Sequence, residues 1–97
     1  MKNQMPPVHP GEILQDELTE LKMSANAFAK ALGVPANRIT LILKGQRSVS
    51  ADTALRLSRY FGTSPEFWMN LQQSYDLKIV QRRIGSEIKR AVQPIAA

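Results

Sequence analysis

The chain has 97 residues, no cysteine, a net charge of +5 and 43% apolar residues. This length accommodates one domain with a single core, and the apolar content is sufficient to fold it. The absence of cysteine excludes disulfides, thiol catalysis and thiolate metal sites. No apolar run reaches the roughly 18 residues that a membrane span needs, and residues 1–8 do not read as a signal peptide. We therefore expect one cytoplasmic domain without a metal or a cofactor.

The basic residues are concentrated in the middle of the chain. Residues 24–62 contain six basic side chains and one acidic side chain, whereas residues 1–23 contain two basic and four acidic ones. A surface that contacts DNA phosphates needs such an excess of positive charge. On charge alone, a solvated basic face is an equally good interpretation.

The apolar residues recur with the period of an α-helix throughout, which predicts five short helices and no strand. The first helix runs from about residue 11 to residue 21, after Pro10, which suits a first helical position because it has no N–H to leave unpaired. Its expected inward residues are Ile13, Leu14, Leu18 and Leu21. The second helix begins after Ser24, a favourable N-cap, and ends at Gly33, which suits the position that follows a helix.

The third and fourth helices are bounded by the same kinds of residue. The third runs from near Pro35 to Gly45, and the fourth follows Ser50 and ends at Gly62. Their apolar residues again fall on one face, as in helices that pack around a small core. The short connections between these segments predict a compact helical bundle.

The fifth helix follows Gly62 and is the longest of the five. It begins with Ser64 as its N-cap and spans residues 64–83, and Gly85 is expected to end it. One more short helix over residues 86–92 is then possible in the tail. We accordingly divide the chain into a domain of residues 1–83 and a C-terminal tail of residues 84–97.

The second and third helices carry the spacing of a helix-turn-helix. Ala29 supplies the small residue where the two helices touch, and Gly33 supplies a residue that tolerates positive φ in the turn. Ile39 supplies the β-branched core residue inside the third helix. An arbitrary helical hairpin would match these three offsets only occasionally, so we favour a DNA-binding helix-turn-helix over a plain hairpin.

In a helix-turn-helix the second of the two helices enters the major groove with its N-terminal residues leading. The outward positions that are candidates for base readout are Ala36, Asn37, Arg38, Thr40 and Leu41. Asn pairs with adenine, Arg pairs with guanine, and Thr or Leu can contact a thymine methyl group. Asn37 has the alternative role of satisfying backbone groups at the helix start. For Arg38 a phosphate contact is an equally good interpretation, and Thr40 is equally open.

Phosphate contacts are expected at two places beside this helix, the start of the second helix and the loop that follows the third. The candidates are Ser24, Asn26, Lys44, Arg47 and Ser48. Phosphate contacts position a protein on the duplex, whereas base contacts choose the sequence. The alternative for Arg47 and Ser48 is an ordinary surface loop.

The fifth helix is apolar on more than one side, and such a helix is expected to be buried on more than one side. The residues expected to lie in a dimer interface or in the core are Trp68, Leu71, Tyr75, Ile79 and Val80. One recognition helix reads only a few base pairs, so a two-fold dimer would place two of them on one face of the duplex. The alternative is that this helix only completes the core of the monomer.

Four stretches, residues 9–14, 32–39, 45–57 and 61–71, resemble the HigA-type antitoxins, a branch of the Xre and phage-repressor helix-turn-helix superfamily. The resemblance implies an all-α, five-helix, lambda-repressor-like domain. It also implies a homodimer that binds double-stranded operator DNA and represses its own operon. Its further implied partner is a HigB toxin, a RelE-like ribonuclease that cleaves mRNA on ribosomes.

Two alternatives to an autorepressing antitoxin stay open at this point. One is a free-standing Xre-type repressor with no toxin, and the other is a toxin-masking module whose DNA binding is weak. An enzyme is disfavoured, because the single histidine, His9, is best explained as a cap or surface residue of the first helix and offers no zinc site.

Overall fold

The computed structural model describes residues 6–96. Within that range the chain forms five α-helices and no strand. The helices are α1 (Pro10–Leu21), α2 (Ala25–Leu32), α3 (Ala36–Leu43), α4 (Ala51–Phe61) and α5 (Pro65–Ala91). The predicted all-α fold is confirmed. Residues 1–5 and Ala97 lie outside the described residues. The first of these ranges belongs to the segment for which no signal peptide was predicted.

Three serines and two glycines set the helix ends that the sequence predicted. Ser24, Ser50 and Ser64 are the N-caps of α2, α4 and α5, and each side chain accepts a hydrogen bond from the backbone N–H three residues later. Gly33 and Gly62 follow α2 and α4 with φ angles of +72° and +74°. Such angles are strained for a residue with a Cβ, so glycine is the residue that these turns require.

His9 is the N-cap of α1. This confirms the first of its two predicted roles, a cap or a surface residue of the first helix. Its Nδ1 accepts a hydrogen bond from the Gly11 N–H at 2.9 Å, and the Glu12 carboxylate accepts one from the His9 N–H at 3.1 Å. This reciprocal arrangement is a capping box, which satisfies backbone donors at the helix start. His9 is only 6% exposed, so the imidazole belongs to the interior.

The core is shared by all five helices. Its buried apolar residues are Leu14, Leu18, Phe28, Ala29, Leu32, Ile39, Ile42, Val49, Ala54, Leu57 and Trp68. Helix α1 crosses α3 at Gly11, where a Cβ would overlap the backbone carbonyl oxygen of Ile42. This close approach fixes the back of α3 against α1 and leaves its other side free.

The prediction of a core position was wrong for one residue of α1. Leu21 was expected on the inward face of α1, but it is 48% exposed. It lies in the last turn, and Lys22 directly after it adopts a left-handed conformation with φ of +55°. The helix therefore ends at Leu21, and the chain turns away before this side chain reaches the core that buries Leu14 and Leu18.

The expected break at Gly85 was also wrong, and the separate short helix over residues 86–92 is absent from the described chain. Helix α5 continues through Gly85 to Ala91, for 27 residues. One glycine costs a helix about 1 kcal/mol, which neighbouring residues that favour helix can offset. At ~1.5 Å per residue this helix is about 40 Å long, which explains the longest dimension of 53 Å against 24 and 21 Å. The expected division after residue 83 falls inside it.

Candidate nucleic-acid interface

The turn between α2 and α3 has the geometry that the three-residue signature predicted. Ala29 is 1% exposed and Ile39 is fully buried, so both face the helix crossing. The Val34 N–H donates to the Ala29 carbonyl at 3.0 Å, and the Gly33 N–H donates to the Lys30 carbonyl at 3.1 Å. These bonds satisfy the last carbonyl groups of α2 and direct the chain into α3.

The outward face of α3 presents its first turn most openly. Ala36 and Asn37 are exposed, whereas Arg38, Thr40 and Leu41 are half-buried. The Thr40 hydroxyl lies 3.5 Å from the Asn37 carbonyl oxygen, at the limit of a hydrogen bond. All five candidates for base readout therefore lie on the accessible side of the helix, and their contacts with bases stay a prediction.

Arg38 has a partner that the sequence did not reveal. Its Nη1 lies 2.7 Å from Oδ1 of Asp52, at the start of α4. The same oxygen accepts a hydrogen bond from Nε of Arg56 at 2.8 Å, and Nη1 of Arg56 donates to the Leu32 carbonyl at the end of α2, also at 2.8 Å. A chain of charged hydrogen bonds thus links α2, α4 and α3.

The candidates for phosphate contact are all exposed, in two groups. Ser24 and Asn26 lie at the start of α2, and Lys44, Arg47 and Ser48 lie in the loop after α3. Because the Ser24 oxygen accepts from the Ala27 N–H at 3.1 Å, its hydroxyl hydrogen can still be donated to a phosphate. Their contacts with DNA stay a prediction.

Gln72 of α5 holds one side of the loop after α3. Its Oε1 accepts a hydrogen bond from the Val49 N–H at 2.8 Å, and its Nε2 donates to Oδ1 of Asp76 at 2.9 Å. Gln72 is 4% exposed and Val49 is 2% exposed. Gln72 is not among the predicted site residues, although a glutamine within the apolar pattern of α5 is a signal for a buried polar contact.

The imidazole of His9 packs against the other side of that loop. It meets the Tyr75 ring edge-on, with 4.9 Å between centroids, and a Cβ on Gly45 would lie 3.9 Å from it. Burial lowers the pKa of His9. The nearby carboxylates of Asp76 and Glu12 and the backbone of Arg47 act in the opposite direction, but their effect is smaller. The neutral ring is therefore the form that the fold favours.

The residues of α5 that were predicted to lie in a dimer interface or in the core differ in how deeply they are buried. Trp68 is 2% exposed, and its Nε1 donates to the Thr63 hydroxyl at 3.1 Å, so it belongs to the core. Leu71, Tyr75 and Ile79 are half-buried, and Val80 is 41% exposed. The helix also exposes an apolar stripe, comprising Leu77, Val80, Ile84 and Ile88.

The fold and this surface define a helix-turn-helix DNA-binding domain. A family model described as helix-turn-helix matches residues 14–68. A solved antidote protein of the HigA family from Coxiella burnetii is 57% identical, with a TM-score of 0.90 over 93% of this chain and 99% of that one. The chain therefore belongs to the helix-turn-helix family and, within it, to the HigA antitoxins.

Two further relatives are similar over most of their length. Antitoxin HigA of Pseudomonas aeruginosa, solved with the higBA promoter, is 47% identical, with a TM-score of 0.89 over 93% of this chain and 99% of that one. Virulence-associated protein I of Dichelobacter nodosus is 52% identical over 82 residues, which are 84% of this chain and 76% of that protein. No enzyme family is indicated by these comparisons.

Other kinds of site find no support in residues 6–96. That part of the chain contains no cluster of three histidine or carboxylate side chains that could hold a metal ion. None of its helices is long and apolar enough to cross a membrane.

Proposed function

We propose that this protein is a sequence-specific DNA-binding antitoxin that acts in the cytoplasm, represses its own operon and neutralises a HigB-like ribonuclease. The observation that carries the proposal is the exposed first turn of α3, flanked by the exposed basic loop that follows it. An exposed, polar first turn next to exposed basic side chains suits insertion into a major groove between two phosphate backbones.

The contacts that anchor the loop backbone support this proposal. The buried Gln72 holds the loop backbone at Val49 and the buried His9 packs beside Gly45, while the side chains of Lys44 and Arg47 are exposed. Because the loop backbone is already held in place, less conformational entropy is lost when its basic side chains bind a phosphate. DNA binding by this chain is also supported by its 47% identity to the HigA antitoxin that was solved with the higBA promoter.

Two copies on one operator are part of the proposal. The exposed stripe on α5 gives a surface that a second copy would cover, and two recognition helices would then read two half-sites about 34 Å apart. This arrangement would give the DNA affinity that one short helix alone lacks.

The DNA-binding part is tested by equilibrium titration of the promoter duplex with wild type, Asn37→Ala and Arg38→Ala. If Arg38 reads guanine, its loss should cost about 1–3 kcal/mol of binding free energy and relax the preference at one base pair. A loss that is equal on promoter and scrambled duplexes would replace the base-reading role with a phosphate role.

The antitoxin part is tested by co-expression with the product of the adjacent reading frame. Growth arrest by that product alone, and its relief by this protein, would support neutralisation. The absence of any toxic neighbour would favour the free-standing repressor. Relief of toxicity without promoter binding would favour a masking module.

A further inference from the structure

We propose that Arg56 of α4 is a positioning residue of the DNA-binding surface, because it holds the turn that sets where α3 begins. The inference rests on the proposed DNA-binding function and deepens it, since it names a residue outside the two helices of the helix-turn-helix on which selective base recognition depends. Arg56 need not touch DNA for this role, because it acts through the backbone of the turn.

The Arg56 side chain reaches from α4 to the end of α2. Its Nη1 donates a hydrogen bond to the Leu32 carbonyl at 2.8 Å and lies 3.5 Å from the Gly33 carbonyl oxygen. A Cβ on Gly33 would lie 3.4 Å from the same nitrogen, so the guanidinium packs directly against the turn. Its Nε donates to Oδ1 of Asp52 at 2.8 Å, which fixes the direction of the side chain.

The carbonyl that Arg56 binds is the last one of α2. The last carbonyl groups of a helix have no donor within the helix itself. Two earlier carbonyls of α2 accept from the backbone N–H groups of Gly33 and Val34, whereas the Leu32 carbonyl accepts from the Arg56 guanidinium. The end of α2 is thus tied to α4 at the point where the chain turns toward α3.

Helix α3 begins without a capping side chain of its own. Its N-cap is Pro35, which makes no side-chain cap hydrogen bond. The other four helices begin with capping side chains, those of His9, Ser24, Ser50 and Ser64. The placement of the first turn of α3 therefore depends on residues 33–35 just before it. Arg56 links these residues to α4, which the fully buried Leu57 anchors in the core.

The placement of α3 matters more for base contacts than for phosphate contacts. Hydrogen bonds to base edges are short and directional, so they weaken when the start of the helix is loosely held. Attraction to phosphates acts over about 10 Å and tolerates small shifts. A loosened turn should therefore weaken binding to the promoter more than binding to unrelated DNA.

The test is the ratio of the affinities for the promoter duplex and a scrambled duplex, measured for wild type, Arg56→Met and Arg59→Met. Arg59 is exposed and lies almost one turn further along α4, so its variant removes the same charge from the same helix. We expect Arg56→Met to lower the ratio by about 5-fold or more, the lower end for the loss of one bidentate base contact. Arg59→Met should leave the ratio unchanged.

The ratio separates positioning from stability. A variant that is only less stable loses both affinities by the same factor, its folded fraction, so its ratio does not change. Circular dichroism reports whether each variant is folded. If Arg56→Met does not fold, Arg56→Lys and its control Arg59→Lys replace the first pair. Arg56→Lys keeps the charge but lacks the forked guanidinium that bonds Leu32 and Asp52 together, so it should also lower the ratio.

Two further measurements identify the route. In an Asp52→Asn background Arg56 can still donate to the Leu32 carbonyl, so Arg56→Met should still lower the ratio relative to Arg59→Met. Amide hydrogen exchange at Gly33 and Val34 should be faster in Arg56→Met than in Arg59→Met, because these N–H groups close the turn that Arg56 holds.

Each other outcome overturns the inference. Equal ratios for the folded Arg56 variants and their Arg59 controls would show that Arg56 adds only charge or stability. An effect that disappears in the Asp52→Asn background would show that Arg56 acts through that carboxylate, and unchanged exchange at Gly33 and Val34 would show that the turn does not depend on Arg56. If wild type discriminates the promoter in any of these cases, only this inference fails, whereas a wild type without discrimination would defeat the proposed function itself.

Discussion

At the scale of single residues, two glycines occupy opposite situations. A Cβ on Gly11 would overlap the Ile42 carbonyl oxygen, whereas a Cβ on Gly85 would meet only the Gln81 Cβ at an ordinary 3.8 Å. We expect Gly11→Ala to lower the free energy of unfolding by about 1–3 kcal/mol, because α1 and α3 must separate. Gly85→Ala should raise it by about 0.5–1 kcal/mol, because alanine favours the helix. Urea unfolding of both variants checks this pair, and equal effects of the same sign would contradict the helix crossing described for Gly11.

His9 should make stability depend on pH. Burial lowers its pKa from an ordinary value of 6.5, so below that value the unfolded chain binds a proton that the native state resists. The contribution of His9 is therefore intact well above pH 6.5 and is progressively lost as the pH falls below that value.

Thermal unfolding, measured in buffers on either side of pH 6.5, compares wild type with His9→Asn. Asparagine also serves as an N-cap but does not titrate, so the variant should lose less stability on acidification. Parallel curves for the two proteins would show that the imidazole does not carry the effect.

At the scale of elements, the link between α5 and the loop after α3 depends on Gln72. Its loss leaves the buried Val49 N–H without an acceptor, which costs about 1–3 kcal/mol of stability. We expect Gln72→Ala also to weaken promoter binding, because the backbone that carries Arg47 and Ser48 loses an anchor. The matched control is Gln73→Ala, an exposed neighbour on the same helix. If both variants bind the promoter as wild type does, the loop does not need this anchor.

The helix ends could be predicted from the sequence because they are local. Ser24, Ser50 and Ser64 satisfy backbone groups within three residues of themselves, and that chemistry is visible in the order of residues. The bond from Val49 to Gln72 spans 23 residues and the pair of Arg38 with Asp52 spans 14. Such contacts depend on how the helices pack, so the sequence predicted an outward position for Arg38 but did not reveal its partner.

The extent of α5 was mispredicted because a local signal received too much weight. Gly85 is a weak helix residue considered alone, and its local preference predicted a break. The cost of one glycine is small beside the cooperativity of a helix that is already formed on both sides. Predicting the break therefore gave too much weight to one residue in a 27-residue helix.

At the scale of the whole molecule, the exposed stripe on α5 predicts self-association. Sedimentation at micromolar concentration, without DNA, should give twice the monomer mass. Val80→Glu should reduce the dimer fraction, because it places a charge within the stripe, while Ser86→Glu at an exposed position on the opposite side of the helix should not. A wild type that sediments as a monomer would leave dimer formation to the operator alone.

The central claim is that the first turn of α3 and the loop beside it read a particular DNA sequence. The most direct test titrates the wild-type protein into the duplex that lies upstream of its own gene, and into a scrambled duplex of the same composition, at one near-physiological salt concentration. We predict that the upstream duplex binds at least ~10³-fold more tightly, the lower bound typical of specific recognition. Equal affinities for the two duplexes would contradict it.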